Sequence, residues 1–130
     1  MHFRTQMIKY PLRNIYNINM YVCDKKIANY NFSVQNNLAT INNIHVHKKN
    51  NGYGSFILYK IEDYVKNIYN VNTINVCAWQ EYGTGNDNDN VLNFYKKNGY
   101  HQLNKTPQIY DDSVFLYDLY TFQKEINHSN

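Results

Sequence analysis

The sequence predicts an α+β domain on a mixed sheet, and three observations carry that prediction. Strand-like patterning recurs in six to seven short segments, period-3.6 spacing occurs twice, and each helical segment falls between strands. Residues His2 to Tyr10 form a first short strand, ended by Pro11. From Tyr16 the alternation is clear: Ile18, Met20 and Val22 share one face, with Asn17, Asn19 and Tyr21 on the other. The polar turn "CDKK" follows, and Ala28, Tyr30, Phe32 and Val34 repeat the pattern, which makes a β-hairpin.

The next strand, Leu38 to His47, contains a fault. Ala39 and Ile41 are apolar at odd positions, whereas Ile44 and Val46 are apolar at even ones. One extra residue does this, because it turns every later side chain to the opposite face. A β-bulge across Asn42-Asn43 is therefore expected. After a loop with two glycines, Ile57, Ile61, Tyr64, Val65 and Ile68 line one side of a helix, with Lys60, Glu62, Asp63 and Lys66 on its wet side. "NTINVCAW" is another strand and "QEYGTGNDNDN" a polar loop. "VLNFYKKNG" puts Val91, Leu92 and Tyr95 on one side of a short helix, with Gly99 as its C-cap. "YHQL" and "SVFLYDLY" are two last strands, joined by a loop containing Pro107. Residues 1–130 read as one domain, with 121–130 as a flexible tail.

Composition narrows the function classes. A chain of 130 residues that is 43% hydrophobic and 18% charged suits a single soluble core. The net charge of +3 suits an anionic small molecule but not the basic stripe of a nucleic-acid binder. No apolar run approaches the roughly 20 residues of a membrane span, and no signal-peptide core is present. The expected setting is cytoplasmic. Cys23 and Cys77 give neither a zinc-site spacing nor a disulfide framework and read as buried free thiols. Asn, Ile, Tyr and Lys are what AT-rich codons deliver, so a single Asn carries little weight.

The stretch "INNIHVHKKNNGYGSFILYKIEDYVKN" passes from strand through a Gly-x-Gly turn into a helix. A helix N-terminus presents backbone N–H groups without intrahelical partners, at the positive end of the macrodipole. Phosphate binds there where no side chain blocks the approach. Gly52 and Gly54 remove Cβ atoms at that point, and Lys48 and Lys49 add positive charge beside it. The same glycines also suit a tight strand-to-helix turn and nothing more. No Gly-Lys-Ser/Thr follows, so the loop is not a P-loop, and no third glycine completes a dinucleotide fingerprint.

The order of bulged strand, Gly-x-Gly, helix, strand and then "NDNVLNFYKKNGY" resembles the GCN5-related N-acetyltransferase (GNAT) superfamily, from about Tyr16 to Tyr120. "NNIHVHKKNNGYGSFIL" is similar to that family's cofactor motif, with Lys49, Gly52 and Gly54 at its marked positions. Lys49 stands where the family has Arg or Gln, and the loop before Gly52 is about two residues short. "NDNVLNFYKKNGY" is similar to the second motif, with Asn88, Tyr95 and Gly99 at matching spacing.

The resemblance implies a mostly antiparallel sheet of six to seven strands whose central parallel pair splays to admit acetyl-CoA. Backbone groups around Ile44 and Val46 would face the pantetheine arm. The amides of Asn50, Asn51, Gly52, Tyr53, Gly54 and Ser55 would hold the diphosphate, with Lys49 beside them and Asn88 near the arm. It further implies direct attack by a primary amine, of a small molecule or of a protein or peptide. A backbone N–H would steady the carbonyl oxygen, and Tyr95 would protonate the departing thiolate. No metal is implied.

Each side chain has a plainer reading beside the functional one. Tyr95 is one of 14 tyrosines and lies on an apolar helix face, and Asn88 suits a helix cap. His45 and His47 alternate with Ile44 and Val46 and so face away from the core; imidazole suits proton removal from an amine, and His45, deeper in the strand, is the preferred base. The family's frequent acid on the following strand aligns with Cys77, so that base is missing. Glu81 and Tyr82, beyond that strand, are further candidates to meet an acceptor amine. The two helices that usually precede the hairpin are also missing, since only His2 to Ile15 are available. A shallow acceptor site is expected, completed by a second subunit in a homodimer, suited to a peptide amine, or walled by "QEYGTGNDNDN". The competing expectation is a catalytically impaired member that binds acyl-CoA or a protein partner.

Overall fold

Alternating side chains build one seven-stranded sheet in the computed structural model, which describes residues 3–10, 14–47, 52–81, 87–110 and 116–126. The strands are β1 (Phe3–Tyr10), β2 (Ile15–Val22), β3 (Lys25–Gln35), β4 (Leu38–Val46), β5 (Thr73–Glu81), β6 (His101–Tyr110) and β7 (Leu116–Glu125). Helix α1 (Tyr53–Tyr69) joins β4 to β5, and α2 (Asp87–Lys97) precedes β6. The sheet order is β1-β2-β3-β4-β5-β7-β6, with β4 and β5 the parallel pair. Among the described residues no helix separates β1 from β2, as the short N-terminal stretch requires. None is long and apolar enough to cross a membrane.

Two hairpins turn on pairs of left-handed residues: Cys23-Asp24 at φ 51 and 62, and Asn36-Asn37 at φ 53 and 64. That conformation matches the twist of the flanking strands, and Asn and Asp tolerate it best. Cys23 is therefore exposed in a turn, contrary to the expected buried thiol.

The alternation sorts the sheet into two faces. Tyr16, Ile18, Met20, Tyr30, Phe32, Ile41, Val76 and Phe122 point to one side and are buried. Ile57, Leu58, Ile61 and Val65 of α1 and Tyr95 of α2 pack on them in a single core. Ile68, expected on the apolar face of α1, is 62% exposed. The last turn is anchored instead by Tyr69, whose hydroxyl hydrogen-bonds that of Tyr16, and by the buried Val71. The sheet's other face carries Asn17, Asn19, Asn29, Asn31, Asn75, Cys77 and Gln123, all half-buried. Antiparallel sheets accept one wet face.

Glu62, expected on the wet side of α1, is turned inward. Its carboxylate accepts hydrogen bonds from the Tyr100 hydroxyl and the Lys124 ammonium, each at 3.0 Å. Lys124 also donates to the Asn98 carbonyl at 3.0 Å, beyond the end of α2. That end closes with Tyr100 N–H on Tyr95 O (2.9 Å) and Gly99 N–H on Lys96 O (3.1 Å), with Gly99 at φ 91. This is the glycine cap expected from the sequence. One partly buried network thus ties α1, α2 and β7 together. Lys124→Met leaves the carboxylate without its cation and is expected to cost about 2–3 kcal/mol, below the range for fully buried pairs because both groups keep some water. Urea unfolding measures it, and adding Glu62→Leu to that variant is expected to restore part of the loss.

Two strands run further than expected. β7 continues to Glu125, with Phe122 fully buried and Ile126 N–H bonded to Asn72 O at 2.8 Å. Residues 121–126 therefore belong to the sheet and its close rather than to a tail, because Phe122 and Ile126 continue the buried face of Tyr120. Residues 127–130 lie outside the described residues. β6 spans Pro107, and its register with β7 shifts between Thr106 and Ile109. An edge strand with an irregularity can hold a proline that no inner strand could. The loop expected from "QEYGTGNDNDN" is shorter, because β5 runs to Glu81 and α2 begins at Asp87.

Candidate active site

The phase change in β4 is a real bulge. Phe32 pairs with Ile41 and Asn31 with Asn43, so Asn42 is the extra residue. Ile44 and Val46 return to the core face, half-buried, while Asn42, Asn43 and His45 point to the wet face and are exposed. The parallel ladder of β4 with β5 runs only from Leu38–Thr73 to Ile41–Val76. Past the bulge, β4 stays paired with β3, and β5 stays paired with β7 out to Glu81. The two central strands therefore part at Asn42, as the resemblance implied. One edge of each then lacks its neighbour, and such an edge is an open template for an extended molecule.

Beside this gap lies the start of α1. Gly52 is its N-cap at φ 75, a left-handed conformation natural to glycine. The first helical bond, Phe56 N–H to Gly52 O, is 3.1 Å. No side chain caps the helix, and its first turn holds no acid. Among the described residues, the amides of Tyr53, Gly54 and Ser55 have no partner. A Cβ at Gly52 would meet nothing within 4 Å, so the approach is open. Gly54 has a different reason from the one expected. A Cβ there would lie 2.9 Å from the Phe94 ring, so its absence lets α2 close onto α1.

Tyr95 is buried. Its ring lies 5.0 Å from Phe122, 5.8 Å from Tyr100 and 5.0 Å from Phe94. Burial pushes its phenol up to about 12, yet among the described residues its hydroxyl has no hydrogen-bond partner. Buried hydroxyls almost always have one. Tyr30 is raised to about 12 by the same cause, and burial beside Glu62 raises Tyr100 as well. The unfolded chain ionises its tyrosines near pH 10 while these remain neutral. Stability is then intact below pH 10 and is expected to fall between pH 10 and 12, by about 1.4 kcal/mol per pH unit for each such tyrosine. Unfolding followed against pH checks this slope.

The remaining candidates divide. The His45 ring is 5.1 Å from that of His47, and both residues are exposed. The Tyr53 ring stands edge-on to Phe3 at 5.9 Å, half-buried. Asn88 is the second residue of α2 rather than its cap. Cys77 is half-buried on the wet face opposite Thr121. Lys48, Lys49, Asn50, Asn51 and Tyr82 lie outside the described residues. The Glu62 network and the Gly54–Phe94 contact escaped the sequence; each joins residues distant in the chain that no local pattern links.

A seven-stranded mixed sheet with one splayed parallel pair, a glycine-capped helix beside the gap and a second helix packed against the first and against β5 is the GNAT acetyltransferase fold. A Bacillus subtilis acetyltransferase in complex with CoA shares it with a TM-score of 0.70 at 14% identity, over 97% of this chain and 100% of that one. A GNAT family acetyltransferase from Elizabethkingia anophelis with acetyl-CoA bound gives 0.70 at 15% identity, over 95% and 98% of the two chains. The Escherichia coli ribosomal-protein-S18-alanine N-acetyltransferase gives 0.71 at 17%, over 90% and 72%. At the level of sequence the chain matches no family model and no curated protein.

Proposed function

We propose that the protein transfers an acetyl group from acetyl-CoA to a primary amine. The observation that carries this reading is the unzipped edge of β4 and β5 beside an uncapped helix start. Amides at Tyr53, Gly54 and Ser55 that find no partner among the described residues, with nothing there crowding Gly52, fit a diphosphate. The gap past Ile41–Val76 fits an extended pantetheine arm, and the Tyr95 hydroxyl, without a partner among the described residues, fits a group that accepts its hydrogen bond. Lys49, Asn50 and Asn51 precede this turn and are assigned to the same diphosphate; Asn88 is assigned to the arm.

Bound acetyl-CoA supplies an activated acyl carbon as its thioester. The chain's own groups then divide the work. A free main-chain N–H of β4 near Ile44 or Val46 steadies the carbonyl oxygen. His45, two residues past the bulge, takes the proton that leaves the amine. Tyr95 delivers a proton to sulfur as the C–N bond replaces the C–S bond. A protonated phenol is what burial guarantees, since a value of about 12 leaves it neutral at any ordinary pH. The second reading, an acyl-CoA-binding or protein-interaction module without turnover, is favoured by one observation. His45 is exposed, and among the described residues no carboxylate orients it.

Melting temperatures with acetyl-CoA, CoA and ATP in parallel test the binding half, because a ligand selective for the folded state raises its melting point. Stabilisation by acetyl-CoA but not ATP is expected. Thiol release with a panel of amines tests the other half; stabilisation without release selects the second reading.

A further inference from the structure

The wet face of the sheet holds a feature that acetyl transfer in general does not require. A cavity of about 480 Å³ opens there, lined by Asn17, Asn19, Asn29, Asn31, Asn42 and Asn43 with three apolar or aromatic neighbours. Its size lies within the range of small-molecule pockets. The bulge creates one wall, since only an extra residue sets Asn42 and Asn43 side by side on one face. We propose that this cavity is the acceptor site, and that it takes a small primary amine carried on a neutral, hydroxyl-rich body rather than a polyamine. The inference rests on the acetyltransferase reading and names its substrate class.

Three observations converge on it. The first is position: Asn42 and Asn43 sit where β4 and β5 part, and His45 follows Asn43 on the same face, opposite the cavity-lining Asn29. An amine held at the β4 end of the cavity lies beside both the proposed base and the strand that borders the gap.

The second is lining chemistry. Apart from Tyr30, every polar residue lining the wall is an asparagine, with no acid and no cation. A polyamine binds through carboxylates that pair its further ammonium groups, and this wall offers none. Arg4, further along the same face, is already engaged by the Tyr21 ring at 4.4 Å and by the Asp24 carboxylate at 3.7 Å, so that pair adds no net charge beside the wall. A carboxamide donates and accepts at once, as a hydroxyl does, so the two match without net charge.

The third is order among the amides. Asn42 Nδ2 donates to Asn31 Oδ1 at 2.9 Å, and Asn31 Nδ2 donates to Asn17 Oδ1. This relay crosses three strands in one direction. It leaves the Asn42 oxygen as an acceptor at the gap end and the Asn17 amide as a donor at the far end. Among the described residues, the side chains of Asn19, Asn29 and Asn43 make no hydrogen bond, so three further carboxamides remain for a ligand.

The test compares glucosamine and 2-amino-1,3-propanediol with spermidine and putrescine, by calorimetric binding and by thiol release at fixed acetyl-CoA. Saturable binding and higher kcat/KM for the hydroxylated pair, by about tenfold or more, are expected. Asn31→Asp puts a charge at the centre of the relay and is expected to reverse that preference while leaving the acetyl-CoA melting shift unchanged. Equal or better use of the polyamines by the unaltered protein overturns the proposal, as does absence of saturable binding by either hydroxylated amine. Failure of acetyl-CoA itself to raise the melting temperature overturns the acetyltransferase reading and this inference with it. That result is separable, because the shift is measured without acceptor.

Discussion

Tyr95→Phe is expected to lower kcat by about 10²–10⁴-fold, the span of general-acid contributions, while the affinity for acetyl-CoA stays within about threefold. The asymmetry follows from the location of the hydroxyl. The ring is gripped by Phe94, Tyr100 and Phe122, and phenylalanine keeps all three contacts. Only an oxygen without a partner among the described residues is lost, so stability is expected to hold or rise slightly. Burial holds the phenol protonated to about 12. Ionisation of Tyr95 therefore sets no limb in the rate below about pH 11, and any basic limb near neutrality belongs to another group. Single-turnover thiol release across pH 6–10, with a melting curve for each variant, checks both halves. A drop in melting temperature large enough to explain the rate would assign Tyr95 to the core alone.

Gly52 gives the second large effect, and a matched pair of substitutions separates shape from charge. At φ 75 most side chains are strained, but Asn and Asp tolerate this conformation. Both add nearly the same volume into open space, since nothing lies within 4 Å of the new Cβ. Gly52→Asn is expected to weaken acetyl-CoA binding by less than about tenfold. Gly52→Asp places an anion beside the diphosphate. At about 5 Å and an effective dielectric near 20, each repelled phosphate charge costs about 3 kcal/mol before ionic screening. A loss of roughly a hundredfold or more relative to Asn is expected, shrinking as salt is raised. Equilibrium titration at two ionic strengths measures it. Equal affinity of the two variants would remove the diphosphate from this helix start.

These expectations were partly legible in the residues and partly not. Alternation reports which face a side chain takes, so the hairpin, the helix positions and the bulge between Ile41 and Ile44 could be read directly. Pairing is another matter. Nothing local says that β5 lies between β4 and β7, or that β4 and β5 separate past Val76. That part of the site came from motif resemblance. Gly54 shows the limit at a single residue: its spacing suggested room for phosphate, whereas the constraint comes from Phe94, forty positions along the chain. Glu62 shows the converse, a charged residue at a solvent-like helical position drawn inward by Tyr100 and Lys124. The tail after Tyr120 was misjudged because a terminus invites that reading, although Phe122 and Ile126 continue the apolar rhythm. Six asparagines on the wet face looked like ordinary solvent-facing residues until three strands brought them to one cavity.

The extra residue at Asn42 makes this protein hard to engineer toward rigidity. Deleting it would regularise the β3–β4 ladder and lengthen the contact with β5, which a stability-minded redesign would favour. The same deletion would leave Ile44 and Val46 on the core face and His45 on the wet face. It would, however, remove the irregularity at which β4 and β5 part and so close the gap proposed for the pantetheine arm. Robustness and activity are therefore set against each other at one position, and variants selected for heat tolerance together with turnover should be found to leave it untouched.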